Sequence, residues 1–207
     1  MDTNTFNNLI SQTWPDLHVA STLGGGTFGT VYACTKTDAV TGVTQKEAVK
    51  VVRVDFTPED RANAEEEGIP FADYYRAVKE KRLQEIRWMV ALKSPHSVHI
   101  NGYTAIEEPD LSALYILIRM DCLTALDQLR PAHLDDTPEQ AAALAEKVAL
   151  DICDALRVCH QNGVLHRDIK PANILCSDAG DFYLGDFGIS KGTAQQASMT
   201  SSGTLEY

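Results

Sequence analysis

Three glycines set the first limit on how this chain can fold. They sit at Gly24, Gly26 and Gly29, within Leu23-Gly24-Gly25-Gly26-Thr27-Phe28-Gly29-Thr30-Val31. Glycine lets a backbone turn tightly and lets another group approach it closely. The residues just after the third glycine decide the local fold. Thr30-Val31-Tyr32 is β-branched and aromatic, so a strand is expected there. Leu17 to Leu23 alternates weakly before the first glycine. The segment therefore reads as strand, glycine turn, strand.

The rest of the first half continues in that manner. Thr41-Gly42 suggests a turn, and Ala48 to Val54 is a third strand. Residues 57–76 are acidic and polar, with Pro58, Gly68 and Pro70 as breakers, and read as an inserted loop or short helix. From about Tyr74 to Leu92 the apolar residues Val78, Leu83, Ile86, Met89 and Val90 fall on one broad helical face. Strands are expected over Val98 to Ile106 and Ala113 to Met120. A short helix comes next, over Leu123 to Leu129. A long one begins at Thr137-Pro138-Glu139-Gln140, where Thr137 caps, Pro138 fits the first turn and Gln140 completes a capping box. Its core stripe is Leu144, Val148, Ile152, Ala155 and Cys159, and Asn162-Gly163 stops it. Two short strands near Ile174 and over Phe182 to Leu184 flank a turn at 177–181. Residues 192–202 are small and polar and read as a mobile loop.

Composition narrows the function classes. The formal charge is −11, which argues against a surface for nucleic acid or an anionic membrane. The five cysteines form no C-x-x-C pair and are odd in number, so reduced thiols in a cytoplasmic setting are expected rather than a zinc site or disulfide framework. The N-terminus lacks the basic and apolar regions of a signal peptide. The apolar run Leu111 to Ile118 is too short to span a bilayer.

Four segments carry chemistry. The glycine turn suits phosphates. A dinucleotide-binding fold would place a helix directly after Gly29, and a Walker loop would end in Gly-Lys-Ser/Thr, where this chain has Gly29-Thr30. Lys50 lies in Ala48-Val49-Lys50, a strand with apolar flanks, so its ammonium is expected to face inward beside a carboxylate. Glu85 on the next helix is the first candidate partner, and Glu80 the second. The most specific segment is His166-Arg167-Asp168-Ile169-Lys170-Pro171-Ala172-Asn173, set between apolar Val164-Leu165 and Ile174-Leu175. Last comes Asp186-Phe187-Gly188, after the second hairpin.

Taken in this order, the segments resemble the protein kinase family, over roughly residues 11–207. The resemblance implies an α+β bilobal fold. A nucleotide-binding lobe of antiparallel β-sheet with one main helix would span 1–121. A partial, mostly helical second lobe would span 122–207. It implies ATP and Mg²⁺ as cofactors and a protein substrate with a Ser or Thr acceptor. Asp168, Lys170, Lys50 and Glu85 would be catalytic, and Asn173 and Asp186 would hold the metal. Leu23, Gly24, Gly25, Gly26, Thr27, Phe28 and Gly29 would roof the phosphates. Val31, Ala48 and Leu175 would sandwich the adenine. Ile118 would be the gatekeeper, with Arg119, Met120 and Asp121 as the hinge. Met89, His166 and Phe187 would stack in a spine. Lys170 and the Gly203-Thr204 pair resemble those of Ser/Thr kinases. Arg167 resembles the arginine of kinases switched by loop phosphorylation, for which Thr193, Ser198, Thr200, Ser201 and Ser202 are acceptors.

Family members would continue past Tyr207 into further helices. The apolar stripe of the helix from Thr137 is therefore expected to be bare unless a partner or the missing lobe segment covers it. A non-catalytic nucleotide- or partner-binding kinase fragment is the alternative reading. A dinucleotide-dependent oxidoreductase would rest on the glycines alone.

Overall fold

Six consecutive residues, Ala113 to Ile118, are buried, which needs a strand covered on both faces. The computed structural model supplies both covers. It describes residues 3–26, 29–129, 137–186 and 191–192. Five antiparallel strands form the sheet: β1 (His18–Gly26), β2 (Gly29–Thr37), β3 (Thr44–Asp55), β4 (Ile100–Glu107) and β5 (Ala113–Asp121), in the order β1-β2-β3-β5-β4. This agrees with the α+β expectation.

The outer face carries a helix absent from the sequence-based expectation. Helix α1 (Thr3–Thr13) lays Phe6, Leu9 and Ile10 on Tyr32, Val49, Val51, Tyr115 and Leu117. Trp14 and Leu17 extend the same contact. The signal was present in the 6, 9, 10, 14, 17 spacing, which is helical. On the inner face lies α3 (Phe71–Ala91), with Leu83 and Ile86 against Leu114, Ile116 and Ile118. Burying a side chain of this size contributes roughly 1.5–3 kcal/mol. The acidic insert holds helix α2 (Pro58–Glu66), started by a Thr57–Asp60 capping box. Its Arg61 guanidinium lies 3.9 Å over the Phe71 ring, tying the insert to the start of α3.

The second half is built on α5 (Pro138–Gln161), which comes after the short strand β6 (Thr124–Ala125) and α4 (Leu126–Leu129). The Thr137–Gln140 capping box is formed as expected. The strands β7 (Val164–Leu165), β8 (Ile174–Cys176) and β9 (Phe182–Leu184) come next, and β10 (Lys191–Gly192) pairs with β7. The C-terminal part of the stripe expected to be bare is covered. Ile152, Ala155 and Cys159 are buried against Val164, Ile174, Phe182 and Leu184, with Leu144 and Val148 beside them. Leu150, on another side of α5, is exposed at 64%. The β8–β9 hairpin and β7 cover that part, while Leu144 and Val148 remain only partly buried. Leu92, just after α3, joins this second core and links the two halves. All five cysteines are free. Among the described residues no helix is long and apolar enough to cross a membrane.

Candidate active site

A cleft of about 490 Å³ lies between the sheet and the second half. Strand alternation explains its upper wall. Val31 pairs with Lys50, Lys50 with Ile118, and Ala48 with Met120, so these side chains share the inner face of the sheet and line the cleft. Leu23 and Gly24 close the roof, and Leu175, Asn173 and Asp186 form the floor. Glu85 lines it from α3.

Two glycines of the roof differ in purpose. Gly29 has φ +111°, and a Cβ there would collide with the Val51 carbonyl oxygen, so the backbone itself demands glycine. Gly24 has no atom within 4 Å of a built Cβ, so the fold tolerates a side chain there. The missing Cβ leaves the roof open to a ligand. Gly25 and Gly26 pair across the hairpin with Thr30 and Gly29. Thr27 and Phe28, at its tip, lie outside the described residues, as do Phe187, Gly188, the acceptors Thr193, Ser198, Thr200, Ser201 and Ser202, and Gly203-Thr204.

The floor is a web of short bonds. Lys50 Nζ meets Asp186 Oδ1 at 2.7 Å, across 136 positions of sequence. Asn173 Nδ2 donates to the Asp168 main-chain carbonyl and to its Oδ2, both at 2.8 Å. Lys170 Nζ lies 2.9 Å from the same Oδ2. The Lys170 ammonium, joined by the Asn173 amide against the effect of burial, holds the Asp168 carboxyl below its ordinary value of 3.8. Gly185 N–H donates to the Asn173 carbonyl at 2.9 Å, which sets Asn173 and Asp186 side by side. Arg167 and Asp186 both take left-handed backbone, φ 65° and 54°, a conformation that costs non-glycine residues energy and collects at functional sites.

His166 is buried and ties the two parts of this web together. The Gly185 carbonyl can only accept, so Nε2–H donates to it, at 2.8 Å. Nδ1 then accepts the Asp168 N–H at 3.3 Å. Burial pushes the His166 pKa below 6.5, and the neutral ring is the form these bonds use. The unfolded chain takes up a proton at 6.5 that the folded chain resists. Stability from His166 is therefore full above pH 6.5 and declines as pH falls toward the lower folded value. Urea titrations at stepped pH are expected to show this decline, and a smaller one in His166→Gln.

Residues 17–207 match the model of the protein kinase domain. The chain belongs to the protein kinase family. It is 35% identical over 130 residues to Aurora kinase B of Drosophila melanogaster, covering 63% of this chain and 38% of that protein. It is 31% identical over 173 residues to sporulation-specific protein 1 of Saccharomyces cerevisiae, covering 83% and 29%. It is 29% identical over 179 residues to serine/threonine-protein kinase PknH of Mycobacterium bovis, covering 86% and 25%. The chain thus spans about a quarter to two fifths of the length of these curated relatives. Helix α1 lies ahead of the segment that matches the kinase domain.

Two expectations for this kinase chain need correction. Glu85 was expected to hold Lys50. Its carboxylate instead faces Arg82, one turn back on α3, at 3.4 Å, while the Lys50 ammonium takes Asp186. Glu80 is exposed and pairs with Arg87. The hinge was expected at Arg119–Asp121. Those residues are still inside the ladder: Arg119 pairs with Val49 and Gly102, Met120 with Ala48 and Ile100, and Asp121 with Glu47. The Asp121 N–H donates to the His99 carbonyl. Met120 and Asp121 line the cleft, whereas Arg119 does not. Arg119 points to the outer face, where its Nη2 binds Glu47 Oε1 at 2.7 Å and its Nε the other oxygen. The first residues free of the sheet are Cys122 and Leu123, and Leu123 lines the cleft. The sequence signal was Met120, which continues the in-out alternation past Ile118.

Proposed function

We propose that this chain binds Mg·ATP in the cleft and transfers the γ-phosphoryl group to a Ser or Thr hydroxyl of a protein. The observation that carries the reading is the meeting of Lys50 with Asp186 at 2.7 Å beside Asn173, from three separated stretches of sequence. The apolar walls at Val31, Ala48, Met120, Leu123 and Leu175 suit a purine ring. The backbone at the end of β5 and just past it, where Met120, Asp121 and Leu123 line the cleft, would offer it hydrogen bonds.

The donor set fits a hard cation. Among the described residues no group of three or more His, Cys, Asp or Glu side chains could hold a metal ion. Asp186 and Asn173 instead give one carboxylate and one amide oxygen, as Mg²⁺ sites shared with phosphates use. When bound, Mg²⁺ supplies positive charge against the β- and γ-phosphate oxygens. Lys50, released from Asp186, would bind the α- and β-phosphates. Asp168, kept ionised, accepts the hydrogen bond of the substrate hydroxyl and orients its oxygen toward phosphorus. Lys170 neutralises charge that builds on the transferring group. Ser/Thr preference is supported by Lys170 in Asp-Ile-Lys-Pro and by the name of the PknH relative.

Incubation of the chain with γ-labelled ATP, Mg²⁺ and a Ser/Thr peptide library is expected to yield phosphoserine or phosphothreonine. Saturable ATP binding with no transfer would support the non-catalytic alternative. Absence of both would end the nucleotide reading.

A further inference from the structure

The strand that delivers Asp186 has an edge that joins no other sheet strand among the described residues, and this edge is clamped from two directions. Strand β9 pairs with β8 on one side. On its other side, Leu184 N–H donates to the His96 carbonyl at 2.8 Å, and Val98 N–H donates to the Leu184 carbonyl at 3.1 Å. Those partners come from the loop between α3 and β4, in the first half. Two residues earlier, at Phe182, side chains take over. Asp151 Oδ2 accepts the Phe182 N–H at 3.0 Å, and His96 Nδ1 bonds the Phe182 carbonyl at 3.0 Å. A carbonyl only accepts, so Nδ1–H is the donor. His96 Nε2 then lies 3.7 Å from Asp151 Oδ1.

Asp151 is a buried carboxylate in the middle of α5, 8% exposed. A charge there is costly unless it has partners. Burial pushes its pKa up, but the Phe182 N–H, Lys147 and His96 outweigh that and hold it below 3.8. Lys147 Nζ reaches it at 3.0 Å and also reaches Asp181 at 3.0 Å, just before β9. A helix whose only task was packing would carry an apolar residue in this place. The bonds continue along the strand: Gly185 N–H to Asn173, and Gly185 carbonyl to His166. From Phe182 to Gly185 the backbone has little freedom to shift, and Asp186 is the next residue.

We propose that Asp151 is a positioning residue for Asp186, acting through the Phe182 N–H and supported by His96 from the other half of the molecule. It touches neither nucleotide nor metal. The proposal rests on the Mg·ATP reading above. Groups of this kind, which orient a metal ligand from behind, typically change metal affinity or activity by about 10–100-fold when removed.

The test uses the full chain and three variants. Asp151→Ala removes the acceptor. Asp151→Asn keeps an oxygen for Phe182. Lys147→Ala removes only the exposed ammonium. Two quantities are read: the Mg²⁺ concentration that gives half of the Mg²⁺-dependent gain in affinity for a fluorescent ATP analogue, and amide hydrogen exchange in the nucleotide-free chain. In Asp151→Ala the half-point is expected to rise about tenfold or more. Exchange should speed up at Phe182–Gly185 and stay unchanged in β3 and β5. Asp151→Asn should recover most of both, and Lys147→Ala, which leaves the Phe182 N–H its acceptor, should fall much nearer wild type than Asp151→Ala. A merely structural role would lower thermal stability and leave the half-point of the folded fraction unmoved, which overturns the proposal. So would a Lys147→Ala variant that reproduces Asp151→Ala. Should Asp151→Ala fail to fold, Asp151→Asn and His96→Ala decide: wild-type exchange at β9 in His96→Ala, with a shifted half-point in Asp151→Asn, contradicts the clamp. If wild type shows no Mg²⁺-dependent binding at all, the Mg·ATP reading fails first and the proposal falls with it.

Discussion

Asp168→Ala is expected to lower kcat by about 10³-fold while ATP affinity stays within about twofold of wild type. The structure explains why chemistry and fold should separate here. Removing the carboxylate takes one acceptor from Asn173, but the Asn173 amide keeps its second bond, to the Asp168 main-chain carbonyl at 2.8 Å. That bond holds the loop. Lys170, at 48% side-chain exposure, loses a partner in water, where such pairs are worth little. Asp186 and Lys50 are untouched and Asn173 stays held by its main-chain bond, so nucleotide binding should survive. Steady-state transfer to a Ser/Thr peptide beside titration calorimetry with ATP measures both halves. Transfer within tenfold of wild type would remove Asp168 from the mechanism.

The largest loss of stability should come from a residue outside the cleft. Arg119→Ala would strand Glu47, a residue only 9% exposed, on the outer face of the sheet. Breaking one partner out of a buried ion pair costs about 3–5 kcal/mol. That is comparable to much of the net stability of a domain, roughly 5–15 kcal/mol. The double variant Arg119→Met with Glu47→Leu removes both charges and fills the space, so it should recover most of the loss. Urea unfolding of wild type, single and double variants closes the cycle. An Arg119→Ala cost below about 1 kcal/mol would show the pair to be water-screened.

Much of the fold and site is legible in the sequence, for physical reasons that differ by element. The capping box at Thr137 is readable because capping is local: one hydroxyl, one amide side chain, three residues apart. The inward-facing Lys50 is readable from its apolar neighbours and the period of a strand. The meeting of Lys50 with Asp186 rests on resemblance, since nothing local brings together residues 136 positions apart. Partner choice is not readable. Glu85 has Arg82 on its own helix, and only the three-dimensional positions decide which cation it takes. The direction of the Arg119 side chain is not readable either: expected at the hinge, it points to the outer face of the sheet. There it finds Glu47. Helix α1 hides in a polar N-terminus, where three apolar residues in eleven give a weak helical period until the sheet supplies their partners. The Asp151 clamp has no sequence signal. A single acidic residue in an amphipathic helix is common, and its importance comes from a backbone N–H that another element presents to it.

The central claim is that the cleft between the sheet and the β8–β9 hairpin is built around phosphate and a hard cation. Calorimetric titration of ATP, with Mg²⁺ in excess, into wild type, Lys50→Met and Asp186→Ala tests it most directly. The account predicts saturable one-site binding to wild type. It also predicts a loss of at least about tenfold in each variant, the value of one charge-assisted bond of roughly 1.5–3 kcal/mol. Equal affinity in all three proteins would contradict it.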